Sequence, residues 1–84
     1  MNEALYVVVI IGSGPYYGMV PDFSLMASGA TREAVISDLQ KLANEAVAVA
    51  KRYQTPIPNA TSRDVIESHW KGDDYAFSSV MVRI

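Results

Sequence analysis

Leu5-Tyr6-Val7-Val8-Val9-Ile10-Ile11, closed by Gly12-Ser13-Gly14-Pro15, is the stretch on which the fold turns. β-Branched and aromatic side chains favour extended backbone, and a Gly/Pro group stops it, so the run predicts a strand. Alternation sends Leu5, Val7, Val9 and Ile11 to one face and Tyr6, Val8 and Ile10 to the other. Both sets are apolar. Such a strand is expected to be central, with cover on both sides.

Tyr16–Val20 predicts a second strand, paired to the first through the glycine turn as a hairpin. Pro21-Asp22 breaks it, and Leu25–Ser28 forms a short third strand before Gly29. Thr31 is placed to cap a helix, with Glu33 in its first turn where the helix dipole favours a carboxylate. Val35, Leu39, Leu42, Ala46, Val49 and Tyr53 recur at spacings of three and four, which predicts an amphipathic helix of about six turns. Asp38, Lys41, Glu45 and Arg52 fall largely off that stripe. Thr55-Pro56-Ile57-Pro58-Asn59 ends it. Thr61 or Ser62, with Asp64, caps a short second helix through Trp70. Lys71-Gly72-Asp73-Asp74 reads as a solvated turn, and Tyr75–Ile84 alternates as a closing strand.

The expected fold class is therefore α+β, in the order β-β-β-α-(short α)-β. Three strands are antiparallel, one long helix packs on one sheet face, and the closing strand returns parallel to one of the first three through a right-handed crossover. Eighty-four residues hold one domain, 1–84, with one modest core.

Composition limits the chemistry. Half of the residues are hydrophobic and 19% are charged, a folding composition and not a disordered one. No cysteine is present, which removes disulfides, thiolate metal sites and thiol catalysis. A net charge of −2 with scattered cations supplies no basic face for nucleic acid. The apolar run Ala4–Ile11 follows Glu3 and is far shorter than a membrane span, so the expected location is cytoplasmic, with no membrane association.

Short motifs give little. Gly12-Ser13-Gly14 after a strand suggests a dinucleotide fingerprint, but that motif needs glycine or alanine at 17, where Tyr17 stands. A hairpin turn is the simpler account. Asn59-Ala60-Thr61 matches a glycosylation acceptor, and without a secretion signal it is a loop. His69 is the single histidine, so no histidine cluster can hold a metal, and no Gly-x-Ser-x-Gly elbow presents a serine to it. Asp22, Glu33, Asp38, Asp64, Glu67, Asp73 and Asp74 could in principle gather into a metal site, but most occupy caps, turns or a polar helix face, which accounts for them without chemistry. No catalytic residue, metal site or cofactor is expected.

The residues left over are apolar. One long helix covers one face of the sheet, and the second helix is too short to cover the other completely. Tyr16, Tyr17, Met19, Phe23, Met26, Trp70 and Met81 are accordingly candidates for a partner-binding or oligomer interface, where aromatics and methionine are enriched. The same residues could instead complete a small core.

Tyr17-Gly18-Met19-Val20-Pro21-Asp22-Phe23, Gly29-Ala30-Thr31, Glu33-Ala34 and Pro56-Ile57-Pro58 together resemble the HicB-like antitoxin family. The likeness runs from about Tyr6 to Pro58. It implies a partial ribonuclease-H-like fold, a tendency to form dimers or tetramers, and the role of binding and neutralising a small basic HicA-type toxin that cleaves mRNA. Many relatives carry Pro-Asp-x-Pro-Gly-Cys before the third strand; here Pro21-Asp22-Phe23-Ser24-Leu25-Met26 stands instead, one residue shorter before Gly29. Many also carry a C-terminal DNA-binding module. This sequence ends at Ile84 on the closing strand, so direct operator binding is not expected. Ribonuclease H chemistry needs metal-binding carboxylates, one of them on the first strand, and Leu5–Ile11 has none. Three functions stay open: an antitoxin-like protein-binding module, an orphaned regulatory or small-ligand-binding module, and a hydrolase built on the scattered carboxylates.

Overall fold

The computed structural model describes residues 2–72 and 74–84. Strands β1 (Glu3–Ile11), β2 (Tyr16–Val20) and β3 (Leu25–Gly29) precede helices α1 (Arg32–Tyr53) and α2 (Arg63–His69), and β4 (Tyr75–Arg83) closes the chain. A short 3-10 turn, Pro21–Phe23, links β2 to β3. The four strands form one sheet in the order β3-β2-β1-β4, so the architecture is α+β. Part of the expected 71–74 turn, Asp73, lies outside the described residues.

One expectation fails. The closing strand is antiparallel to β1, with Val9 opposite Phe77 and Leu5 opposite Met81. The cause lies in what separates β3 from β4. Had α1 alone made the crossover, β4 would have started at the same end of the sheet as β3. Instead α1 carries the chain down one face, and the 54–62 segment and α2 carry it back along the other. The chain thus reaches β4 from the end opposite to the one a single helix would give.

The two helices define two unequal cores. Tyr6, Val8 and Ile10 of β1 pack with Val20, Val80, Val82 and the α1 residues Val35, Leu39, Ala43 and Val47. On the reverse face, Val7 and Val9 pack with Ile66 of α2, flanked by Trp70, Tyr75 and Phe77. Both faces of β1 carry a helix, as its two apolar sets require, although on the α2 face only Val7 and Val9 are buried and Leu5 and Ile11 stay exposed.

The buried stripe of α1 differs from the expected one. Val35, Leu39, Ala43 and Val47 are its buried residues, while Val49 is 52% and Tyr53 69% exposed. A strict four-residue step advances about 40° around the helix each time, so the stripe winds across the helix surface. It contacts β3, β2 and β4, and by Val47 it has turned away from the side that carries Val49 and Tyr53, which stand in the open. Both helix ends are closed: Thr31 Oγ1 accepts from the Ala34 N–H at 3.1 Å, and Gln54 takes the left-handed conformation at the C-cap.

Gly18 sets how closely α1 approaches. A Cβ at this position would run into Val35 Cγ1 and press on Leu39 Cδ1. Its presence in the middle of β2, unfavourable for a strand, is explained by this contact.

The sheet has two free edges, treated differently. At β4, Asn44 of α1 acts like a strand partner: its Nδ2 donates to the Met81 carbonyl at 3.5 Å and its Oδ1 accepts from the Arg83 N–H at 3.2 Å. Arg63 of α2 donates to the Phe77 carbonyl at 3.2 Å. At β3, among the described residues, no side chain bonds the outer edge of the strand.

Candidate protein-binding face

Alternation along each strand decides which side chains reach the α2 face. Leu5, Val7, Val9 and Ile11 of β1 point there, with Tyr17 and Met19 of β2, Met26 of β3, and Tyr75, Phe77 and Met81 of β4. Seven residues of helix, with Ile66 as the buried one, cannot cover ten such positions. What α2 leaves uncovered is the candidate site.

Its centre is a groove of about 300 Å³ lined by Val9, Ile11, Tyr17, Met19, Met26 and Trp70, with Gly18 at its floor. Trp70, just past α2, forms one wall and is held there by Tyr75, whose ring meets it edge-on at 5.5 Å between centroids. Tyr17, 53% exposed, and Met26, 73% exposed, form the wall towards β3. The lining is almost wholly apolar. Large side chains left in water without a polar neighbour are costly to maintain in isolation and are the usual mark of a contact surface.

Of the candidates read from the sequence, Tyr17, Met19, Met26 and Trp70 come together in this groove. Met81 lies on the same face at the far end of β1, opposite Leu5, where both are exposed. Tyr16 and Phe23 belong elsewhere. Tyr16 packs against the α1 core and lies under the Arg32 guanidinium, 5.6 Å from the ring centroid. Phe23 packs on the same core and meets the Tyr6 ring at 4.6 Å. Ile11 lines the groove and was not among the candidates. The double apolar alternation of β1 was its signal, and only the position of α2 shows that Ile11 is left out.

A polar clasp positions α2. Asp22 accepts hydrogen bonds from the Thr61 N–H at 2.9 Å and from Thr61 Oγ1 at 2.5 Å. Nearby, the Tyr6 hydroxyl donates to the Pro58 carbonyl at 2.6 Å. Burial, helped by the negative charge of Asp22, pushes the Tyr6 phenol above its ordinary value of 10.0. Both contacts anchor the 54–62 segment beneath the end of the sheet, where it passes from the α1 face to the α2 face. In the sequence, Asp22 reads as a strand breaker and Thr61 or Ser62 as a helix cap. Ser62 is the residue at the α2 N-cap.

The remaining polar motifs have structural places. Gly12–Pro15 joins two antiparallel strands, the hairpin geometry and not the strand-to-helix entry of a dinucleotide site. His69 is exposed in the last turn of α2. Among the described residues, no three of His, Cys, Asp or Glu gather into a metal-binding group. Among the same residues, no helix is long and apolar enough to cross a membrane.

Comparison with protein-family models, with curated proteins and with solved structures gave no match to this chain.

Proposed function

We propose that this chain is a non-catalytic protein-binding domain that works through the half-covered α2 face, and that its partner is a small basic toxin of the HicA type. The observation that carries the reading is the apolar groove between Trp70 and the Tyr17–Met26 wall. Aromatic and methionine side chains around a shallow apolar trough give a large contact area with adaptable shape, as protein interfaces use it. The HicB-like motifs supply the class of partner, and a net charge of −2 favours a basic one. The toxin would be neutralised by occupation, with no chemical step on this chain, in the cytoplasm where mRNA is cleaved.

Co-expression tests this directly. A small basic protein encoded beside this chain should be toxic alone, tolerated with the wild-type chain, and recovered in complex with it. Trp70, the single tryptophan, reports binding at the groove through its fluorescence. Toxicity unrelieved by this chain, with no complex recovered, would sink the proposal.

A second reading rests on the size of the same groove. About 300 Å³ is at the lower end of small-molecule sites, which suits a small apolar ligand. A thermal-shift screen separates the two, since a ligand that binds only the native state raises the Tm without any protein partner.

A further inference from the structure

We propose that the outer edge of β3 pairs with the same edge of a second copy of this chain, joining the two four-stranded sheets into one continuous antiparallel sheet about a two-fold axis through Ala27. This goes beyond the toxin reading and does not depend on it.

The direction of the backbone groups is the first ground. The Ile84 N–H donates to the Asn2 carbonyl, so even-numbered residues of β4 point at β1. Odd-numbered ones point outward, as the side-chain bonds to Phe77, Met81 and Arg83 show. Carried through the register of β1 with β2 and of β2 with β3, the alternation aims Leu25, Ala27 and Gly29 at β2. Met26 and Ser28 are left with N–H and C=O groups facing out from the edge.

Those two residues are self-complementary. A two-fold axis through Ala27 sets Met26 opposite Ser28 of the second copy, and Ser28 opposite its Met26. Each is a pair that exchanges both backbone bonds. Side chains fit as well. Leu25-Met26-Ala27-Ser28-Gly29 runs from large to small, so the axis matches Met26 with Ser28 on the α2 face. On the α1 face it matches Leu25 with Gly29. A strand with large residues at both ends would put bulk against bulk. An isologous contact requires this kind of match.

The contrast between the two edges is the second ground. Unpaired edges invite strand addition, and chains blunt them with charge, proline or covering groups. Asn44 and Arg63 cover β4. β3 contains no charge and no proline, and it is left bare. Pairing here also sets the Tyr17–Met26 wall of each copy beside its counterpart on one face of the joined sheet, extending the apolar area beyond what backbone bonds alone supply.

Sedimentation equilibrium across a dilution series, with Ser28→Pro as the variant, tests the proposal. Ser28 N–H faces outward, so proline there removes the edge donor and leaves the bonds to β2 in place. The wild type should sediment at twice the 9.2 kDa of one chain and Ser28→Pro at one chain mass with unchanged circular dichroism. Amide exchange on the wild-type chain gives a reading that needs no variant. Met26 and Ser28 should be protected at high concentration and lose protection on dilution, while the outward Ser79 amide of β4 should not respond. A wild-type monomer throughout, or a dimer whose concentration-dependent protection falls on Ser79 instead of Met26 and Ser28, would overturn it.

Discussion

The Asp22 carboxylate holds Thr61 by two hydrogen bonds, to its backbone N–H and its hydroxyl, although the two residues are 39 positions apart. Asp22 sits in the turn after β2 and Thr61 just before α2, so the pair fixes where the chain passes to the second face. Asp22→Ala removes an ionised acceptor from two part-buried donors, a loss of about 1.5–3 kcal/mol on the usual scale for bonds to charged groups. Chemical denaturation should show that loss. Because the clasp orders the approach to α2, the Trp70 environment should loosen as well, seen as a red-shifted emission below the unfolding transition.

Tyr6 makes a pH-dependent contribution with a definite sign. Its phenol is raised above 10.0 in the folded chain, first by burial and then by Asp22. The native state therefore holds the proton more tightly than the unfolded state, and stability falls as pH rises through this range. The contribution should be intact below pH 10 and lost progressively above it. Tyr6→Phe should cost about 1 kcal/mol at neutral pH through the lost bond to Pro58. Denaturation curves at a series of alkaline pH values should show a shallower decline for this variant than for the wild type.

Gly18 is predicted to tolerate no side chain. Gly18→Ala forces a methyl against Val35 and Leu39, and overpacking of this kind costs about 1–3 kcal/mol. A calorimetric Tm lower than that of wild type checks it. A double variant with Val35→Ala should lose less than the two single losses combined, because the residues share one space.

Tyr17 separates binding from folding. Its ring is half exposed on the groove wall, so Tyr17→Ala should shift stability by no more than about 1 kcal/mol. If the groove receives the partner, the same change should weaken binding about tenfold or more, the effect of losing an aromatic anchor. Isothermal titration against the partner, beside a denaturation curve, distinguishes the two effects. Unchanged affinity would place the binding surface elsewhere.

Asn44 guards the β4 edge through Met81 and Arg83. Asn44→Ala should expose those backbone groups and promote association through β4. Light scattering should show species larger than those formed by the wild-type chain, growing with concentration.

Much of the fold could be read from particular residues. The double alternation of Leu5–Ile11 predicted a central strand covered twice, and Val7 and Val9 do meet α2 while Tyr6, Val8 and Ile10 meet α1. Thr31 was legible as a cap because capping is settled within four residues. The direction of β4 was not legible. It depends on whether the chain crosses between faces after α1, and the groups that steer that crossing, Asp22 with Thr61 and Tyr6 with Pro58, are distant in sequence and ordinary in type. The α1 stripe was misplaced at Val49 and Tyr53 for a related reason. Periodicity shows that a helix has an apolar side, but how the helix lies across the sheet decides which line of residues on that side is buried, here the four-residue step Val35, Leu39, Ala43 and Val47.

What the sequence determined by itself is local: strand and helix positions, the hairpin at Gly12–Pro15, and an excess of apolar side chains over what one helix can cover. Each follows from backbone preference or alternation within a few residues. The tertiary structure alone decided that Tyr17, Met19, Met26 and Trp70 share a groove while Tyr16 and Phe23 do not. It also decided that one sheet edge is closed by Asn44 and Arg63 and the other left bare. Both outcomes depend on how closely packed elements distant in the chain come to rest, and no short window of sequence contains that distance.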